Sequence, residues 1–171
     1  MEKADQDYLT YETQRLMRLL DMKTGIYNIE TCVGADGKPY IMEVSPRGGG
    51  CKIAEIQQLA SGINLIEAEV KKAVGEFVGE IHQPEFDGIW IEYVIHSEGD
   101  TSGIFKELKI DPKIKEKHVK VIDMTTKPGD LVEPFTGANK ALGDMFLRFD
   151  TREEMDRIMN DTSEWLQIVL E

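Results

Sequence analysis

Cysteine is scarce in this sequence of 171 residues, which contains only Cys32 and Cys51. Neither cysteine belongs to a CxxC pair or to a cysteine and histidine pattern with the spacing of zinc ligands. The usual sequence signs of a structural zinc site are therefore missing. In a cytosolic protein, two isolated cysteines are ordinarily free thiols, and we expect both of them to be buried and unbridged.

Long apolar runs are also missing. No stretch approaches the roughly 20 consecutive apolar residues that cross a bilayer. The first residues, MEKADQDYL, contain no hydrophobic signal-peptide core. We therefore expect a soluble, cytoplasmic protein that has no membrane partner.

Basic residues are outnumbered by acidic ones, 20 to 32, and the formal net charge is −12. Such a surface repels the phosphate backbones of nucleic acids and anionic membranes, so neither is an expected partner. The same charge is compatible with divalent cations but is not evidence for a metal site. The 41% of hydrophobic residues is enough to bury a core.

Periodicity and turn residues predict a chain of alternating short helices and strands. The first predicted elements are a helix over 6–21 capped by Asp5 or Asp7, and strands over 26–33 and 39–44 joined by a turn at 35–37. Two helices follow, one that begins at residue 51 and one capped by Asn64. The last predicted elements are strands over 89–95, 103–110, 119–124 and 141–149, a helix capped by Thr151 that runs to about Ser163, and a strand over 166–170. The strand over 103–110 is predicted to pair with the strand over 89–95.

The composition changes most sharply between Gln83 and Gly88, and we place a boundary near residue 80. The chain is accordingly divided into a first domain over 1–80 and a C-terminal α+β subdomain over 81–171. Hairpins and segregated helices favour an α+β fold over a doubly wound sheet.

One predicted hairpin carries side chains suited to metal and phosphate chemistry. Asn28 and Glu30 lie two residues apart on its first strand, and Glu43 and Ser45 lie two apart on its second. Residues at this spacing share a face of a strand, so pairing of the strands would bring all four oxygen-bearing side chains together. Oxygen donors of this kind suit Mg²⁺, which takes one or two carboxylates and completes its shell with phosphates and water. Arg47 follows directly and could bind a phosphate with two parallel hydrogen bonds.

The spacing alone leaves a simpler alternative open. Paired glutamates are commonly the solvated face of a hairpin, and a Pro-Arg-Gly-Gly segment is commonly an ordinary turn.

Two segments resemble the ATP-grasp superfamily: 25–30 is GIYNIE, and 36–47 is DGKPYIMEVSPR. The pattern is most similar to the branch of carbamoyl-phosphate synthetase, biotin carboxylase and L-amino acid ligase, where the second strand ends in Glu-x-Asn-Pro-Arg. Residues 59–76 also resemble the two helices that follow this motif. The resemblance implies the C-terminal half of an ATP-grasp domain, an antiparallel sheet with helices, followed by a small α/β C-terminal subdomain.

The resemblance implies a role for each residue of the hairpin. Glu30 and Glu43 would hold Mg²⁺ (or Mn²⁺) against the phosphates of ATP. Ser45 stands where the family has an asparagine that binds a second metal, a departure that puts that second site in doubt. Arg47 would be the catalytic arginine that stabilises the transferred phosphoryl group, and Asn28 matches a position near the metals.

The implied function is that of a ligase that joins a small carboxylate to an amine, ammonia or a thiol through an acyl phosphate. The family's adenine pocket and phosphate-binding lysines lie upstream of the matching region. The chain is therefore expected to be a portion of a longer enzyme or, alternatively, a subunit that needs a partner. It is expected to be inactive without the N-terminal ATP-grasp half, and able to self-associate through the surface that this half would cover. The alternative is a non-catalytic ATP-grasp-derived module for interaction or regulation, which the departure at Ser45 favours.

Overall fold

The structure, a computed structural model, describes residues 1–82 and 84–171. Gln83, at the predicted domain boundary, lies outside the described residues. The chain divides into two compact units. The first unit consists of Met1–Ala54 and Asn64–Glu80, and the second of Glu55–Ile63 and Ile81–Glu171.

The helices are α1 (Lys3–Leu19), α2 (Ile53–Ser61), α3 (Leu65–Ala73), α4 (Pro112–Lys117) and α5 (Arg152–Met159). The strands are β1 (Asn28–Val33), β2 (Pro39–Ser45), β3 (Ile89–Ile95), β4 (Gly103–Ile110), β5 (Val119–Met124), β6 (Leu131–Val132), β7 (Gly143–Phe149) and β8 (Leu166–Leu170). Two short 3₁₀ turns cover Ala138–Lys140 and Thr162–Glu164. Within the described residues, no helix is both long enough and apolar enough to cross a membrane.

In the first unit, β1 and β2 form an antiparallel hairpin that contacts α1. The tip of the hairpin is the predicted turn: the Gly34 amide donates to the Lys38 carbonyl at 2.8 Å. Asp36 accepts from the Lys38 amide at 3.1 Å, and Gly37 has a φ of 75°, which glycine adopts without strain. These local interactions fix the length of the turn, and therefore the register of the strands that follow.

The start of α1 differs from the prediction. The helix begins at Lys3 with Glu2 as its N-cap and no side-chain capping bond, so the predicted caps Asp5 and Asp7 are wrong. Asp7 instead accepts from Lys3 at 2.6 Å, a pair four residues apart on the helix surface. Both aspartates lie near the N-terminus of the helix, where negative charge is favourable.

The second unit contains two three-stranded antiparallel sheets, ordered β3-β7-β5 and β6-β4-β8. Its buried core consists of Ile95, Phe105, Val132, Leu142, Met145, Leu147, Phe149, Ile158 and Trp165. Both sheets are antiparallel, so the fold is α+β and not a doubly wound parallel sheet, as predicted.

The predicted partner of β3 is wrong. β3 pairs along its whole length with β7, while β4 pairs with β8 and with the short β6, a strand that the sequence analysis does not include. Residues 96–102 join two strands that belong to different sheets. Within this connection Ser97 is buried and its hydroxyl donates to the Glu133 carbonyl at 2.9 Å, which ties the end of β3 to the segment after β6. The partners of β3 and β4 lie further along the chain, so local sequence patterns do not indicate them.

The last predicted helix is shorter than expected. Thr151 caps α5 as predicted, accepting from the Glu154 amide at 3.2 Å, but the helix ends at Met159. Asp161 then caps the separate turn Thr162–Glu164 through the Ser163 amide.

Both cysteines are free, but both are exposed, so the prediction that they are buried is wrong. Cys32 lies on β1 in a run of four exposed residues, and Cys51 lies in the glycine-rich loop after β2 with a φ of 52°.

Candidate functional site

The hairpin brings the four oxygen-bearing side chains of the motif into direct cross-strand pairs. Asn28 is paired with Ser45 and Glu30 with Glu43, with Ile29 and Val44 paired between them. Directly opposed residues of an antiparallel pair have Cβ atoms about 4.5–5.5 Å apart. Two carboxylates, an amide and a hydroxyl are therefore close enough for one cation to contact several of them.

A β-bulge follows the acidic pair. The register shifts between Glu30 and Thr31, because Thr31 is paired with Ile41 and Met42 has no partner on β1. A bulge bends its strand and increases the local twist, and bulges are common beside functional sites. The sequence gives no sign of it, since Met42 fits a regular strand as well as a bulged one.

The two carboxylates differ in how firmly they are held. The Ser45 hydroxyl donates to Glu43 Oε1 at 2.5 Å, which orients that carboxylate and leaves its other oxygen open. Glu30 is exposed and makes no side-chain hydrogen bond or ion pair within the part of the chain that the structure describes. Asn28 and Ser45 are partly buried at the base of the hairpin.

Arg47 lies immediately beyond the acidic pair with its guanidinium group exposed. Nη1 donates to the Gly48 carbonyl at 2.8 Å, and the Arg47 amide donates to the Ser45 carbonyl at 2.9 Å. No ion pair involves Arg47 among residues 1–82 and 84–171, so most of its donors face solvent. The backbone then passes close to Asn28: a Cβ on Gly49 would lie 3.4 Å from Asn28 Oδ1 and 2.8 Å from Ile53 Cδ1.

The charges at this site favour a bound cation. Like charges directly opposite each other destabilise a hairpin, and neither Glu30 nor Glu43 has a basic partner in the described structure. A divalent cation would remove that repulsion. In the described residues no three histidine, cysteine, aspartate or glutamate side chains cluster as metal ligands. The predicted set of two carboxylates with an amide and a hydroxyl suits Mg²⁺, which keeps several positions for water or phosphate.

One residue that positions the site was missed by the sequence analysis. The Ile26 amide, just before β1, donates to Glu69 Oε1 on α3 at 3.1 Å. This bond fixes where the first strand begins relative to α3. Because the two residues are 43 positions apart, no local pattern could have indicated it. The Asn64 cap of α3, by contrast, was predicted and is confirmed, with Asn64 accepting from the Glu67 amide at 3.0 Å.

No family model matches the sequence, and no curated protein matches it. Solved structures match it in fold. L-amino acid ligase from Bacillus licheniformis matches 100% of this chain and 42% of its own, with a TM-score of 0.80 and 20% identity. Phosphoribosylglycinamide synthetase from Anaerococcus prevotii matches 100% of this chain and 43% of its own, with a TM-score of 0.79 and 17% identity.

A biotin carboxylase from Campylobacter jejuni, solved as a complex with β-γ-ATP, matches 99% of this chain and 37% of its own. Its TM-score is 0.69 and its identity 16%. The chain thus spans less than half the length of each of these three structures. The resemblance found in the hairpin motif is confirmed at the level of the whole fold: this chain has the fold of the C-terminal portion of an ATP-grasp ligase.

Proposed function

We propose that this chain is the C-terminal part of an ATP- and magnesium-dependent ligase, which activates a carboxylate as an acyl phosphate for attack by an amine, ammonia or a thiol. The observation that carries the proposal is the direct pairing of Glu30 with Glu43 and of Asn28 with Ser45, followed at once by Arg47. In this proposal residues 1–80 supply the metal and phosphate site and residues 81–171 form the C-terminal subdomain.

Glu30 and Glu43 are the residues that would hold Mg²⁺ or Mn²⁺. When bound, the ion would neutralise the phosphates of ATP. The Ser45 hydroxyl, by donating to Glu43, holds that carboxylate in place. As a metal ligand, the serine oxygen reaches less far than the amide oxygen of the asparagine that the family has at this position. We therefore assign one metal ion to Glu30 and Glu43, and binding of a second ion is to be tested. Asn28 contributes a neutral oxygen on the same side of the hairpin.

Arg47 would stabilise the negative charge that develops on the transferred phosphoryl group. A guanidinium group stays protonated at every physiological pH and presents parallel N–H donors that fit phosphate oxygens. Donors that are positioned before the reaction stabilise the transition state most effectively. At Gly48 and Gly50 a Cβ would meet no atom within 4 Å, so the backbone beside Arg47 leaves room for a phosphate to approach.

The remaining requirements for catalysis would come from the rest of the ATP-grasp fold, and the chain by itself is expected to be inactive. The first unit exposes large apolar side chains that suit a surface covered by another part of such a fold. They are Met1, Tyr8, Tyr11, Leu19, Leu20, Val33, Tyr40, Met42, Ile53, Ile66, Val70, Val74 and Phe77. The same surface would allow the isolated chain to form homo-oligomers. A cytoplasmic location is part of this proposal.

A second candidate function is a non-catalytic module with the same ancestry. The observation that favours it is Ser45, which bonds to Glu43 instead of presenting a free amide oxygen. The exposed Arg47 and the unpartnered Glu30 count against it, since a module without phosphate chemistry gains no stability from either.

The test is release of ADP from ATP and Mg²⁺, measured with this chain joined to an N-terminal ATP-grasp half, across a panel of carboxylates and amines. We expect release that depends on both substrates and falls by about 100-fold or more in Glu43→Gln and in Arg47→Ala, as for other lost electrostatic contacts to a transition state. Glu85→Gln is the matched control, because Glu85 is exposed and lies outside the hairpin.

Two results would contradict the ligase proposal. One is the absence of substrate-dependent ADP release with every pair in the panel. The other is release that persists unchanged in Glu43→Gln and Arg47→Ala. If ATP still binds while neither substitution has an effect, the non-catalytic module is the better description.

A further inference from the structure

The second unit contains a cavity of about 680 Å³ that no residue of the hairpin lines. It lies beside β3 and β8, each of which is the outer strand of its own sheet, and beside the turn Thr162–Glu164. Its volume falls within the range of about 300–1,000 Å³ that is typical of small-molecule sites. The fold therefore provides room for a ligand in a part of the chain to which the proposed ligase chemistry assigns no role.

Three rings line this cavity: Tyr93, His96 and Trp165. The centroid of Tyr93 lies 6.3 Å from that of Trp165 with the planes tilted by 54°, and 6.5 Å from that of His96 with the planes nearly parallel at 21°. His96 is further held by stacking on Phe135 at 4.3 Å. Ordered aromatic walls of this kind favour a ligand with a flat or apolar body, and their faces attract cations.

The polar groups at the cavity include hydrogen-bond acceptors beside the hydroxyl groups. His96 Nδ1 lies 2.9 Å from the Ser97 carbonyl oxygen. A carbonyl only accepts, so Nδ1 carries the proton in this bond and Nε2 of the neutral ring is left as an acceptor. The Tyr93 hydroxyl already shares a hydrogen bond with Thr162 Oγ1 at 3.2 Å.

The charges around the cavity are mostly negative. Three carboxylates line it, from Glu98, Asp111 and Glu164, against a single ammonium group from Lys109. Asp111 is occupied as the cap of α4, and Lys109 pairs with Glu107 at 3.4 Å.

Glu98 and Glu164 are exposed, and neither makes a side-chain hydrogen bond or ion pair in the described part of the chain. Two carboxylates at the cavity are therefore available to a cationic ligand.

We propose that this cavity binds a small organic amine. Its ammonium group would be held by Glu98, Glu164 and the acceptor nitrogen of His96, and its carbon body would lie against Tyr93 and Trp165. An ammonium group has three donors and no acceptor, which matches a site that offers acceptors and negative charge. The proposal does not depend on the ligase function, because it uses only residues of the second unit.

The test is titration of the 171-residue chain with benzylamine, benzyl alcohol and benzoate, three probes that share a ring and differ in charge. Binding is followed by the fluorescence of Trp165 in a Trp90→Phe background, since the only other tryptophan is Trp90. We expect saturable binding of benzylamine, weaker binding of benzyl alcohol, and none of benzoate. The double variant Glu98→Gln, Glu164→Gln should weaken benzylamine binding by about fivefold, the scale of two partly solvated charge contacts.

A second double variant, Glu153→Gln with Asp156→Asn, tests whether net charge alone changes the affinity. It removes two negative charges from α5, outside the cavity, and should leave the affinity for benzylamine unchanged. Tyr93→Leu is a second cavity variant that keeps apolar bulk and should also weaken binding, with folding of every variant checked by circular dichroism. Equal affinity for the three probes, no saturable benzylamine binding, or the same loss in the α5 control would each overturn the proposal.

Discussion

Gly143 begins β7 at a point where the neighbouring strand leaves no room for a side chain. A Cβ at this position would lie 2.4 Å from the Asp123 carbonyl oxygen and 2.8 Å from Met124 Cα. Both contacts are with the backbone of β5, so the clash cannot be relieved by rotating a side chain. The sequence predicts a strand from Ala141 but does not indicate that the partner strand requires the glycine.

We expect Gly143→Ala to lower the free energy of unfolding by about 1–3 kcal/mol, the usual cost of overpacking. Urea unfolding followed by tryptophan fluorescence reports on the right unit, because both tryptophans, Trp90 and Trp165, lie within it. Gly137→Ala is the control: Gly137 is extended, and a Cβ there would meet only Asn139 Oδ1, at 3.3 Å. Equal stability of the two variants would show that β5 can move aside.

At the scale of elements, the sequence predicts the strand bounds and helix caps that depend on local interactions. It does not predict the strand pairing that depends on contacts between distant residues. The bounds of β4 are predicted to the residue, and so are the caps Asn64 and Thr151, because strand alternation and capping depend on neighbours in the chain. The pairing of β4 is mispredicted, since its partners β6 and β8 lie further along the chain and such pairing depends on contacts between distant residues. The acidic pair of the hairpin is predicted because a short turn joins its two strands. The bond from the Ile26 amide to Glu69 and the cavity of the second unit are not predicted, because both depend on residues that are distant in the chain.

An ion pair also links the end of α4 to α5. Glu154 of α5 accepts from Lys117 at the end of α4 at 2.5 Å, and His118 Nε2 lies 3.6 Å from the same carboxylate. The hydrogen bond from Lys117, and then its charge and that of His118, hold the pKa of Glu154 below its ordinary value. His118 itself is buried and stacks on Phe149 at 4.7 Å.

A lowered pKa in the folded state means that the Glu154 contact stabilises the fold fully above the ordinary carboxyl pKa of about 4.3. The contribution is lost as the pH falls through the lowered, folded-state pKa. Glu154→Gln should therefore be less stable than the parent chain at pH 7, and the two should converge in acid.

Urea unfolding at a series of pH values measures this. Glu153→Gln is the neighbouring control, because Glu153 makes no ion pair with any residue that the structure describes. A difference between Glu154→Gln and the parent that does not change with pH would contradict the assignment.

On the scale of the whole molecule, the net charge of −12 means that the folded chain repels itself. Added monovalent salt should raise the melting temperature by screening this repulsion. Mg²⁺ should do more than Na⁺ at the same ionic strength, because a cation bound at the proposed site, Glu30 and Glu43, would stabilise the folded state alone. The additional stabilisation is about 1 kcal/mol when Mg²⁺ is present at five times its Kd.

Thermal melting in matched NaCl and MgCl₂ solutions distinguishes the two effects. Glu43→Gln should keep the response to NaCl and lose the extra response to Mg²⁺, whereas Glu85→Gln should keep both. An extra response to Mg²⁺ that survives in Glu43→Gln would show that the ion acts through the general charge of the surface.

The exposed cysteines give the hairpin two natural attachment points for probes. Cys32 follows Glu30 by two residues on β1, which places both side chains on one face of the strand, and Cys51 follows Arg47 in the loop beyond β2. Thiol-reactive spin labels or fluorophores could thus be placed on either side of the acidic pair without introducing any new residue. The same accessibility makes the chain prone to cross-link between molecules in air, so reductant should be present until labelling begins.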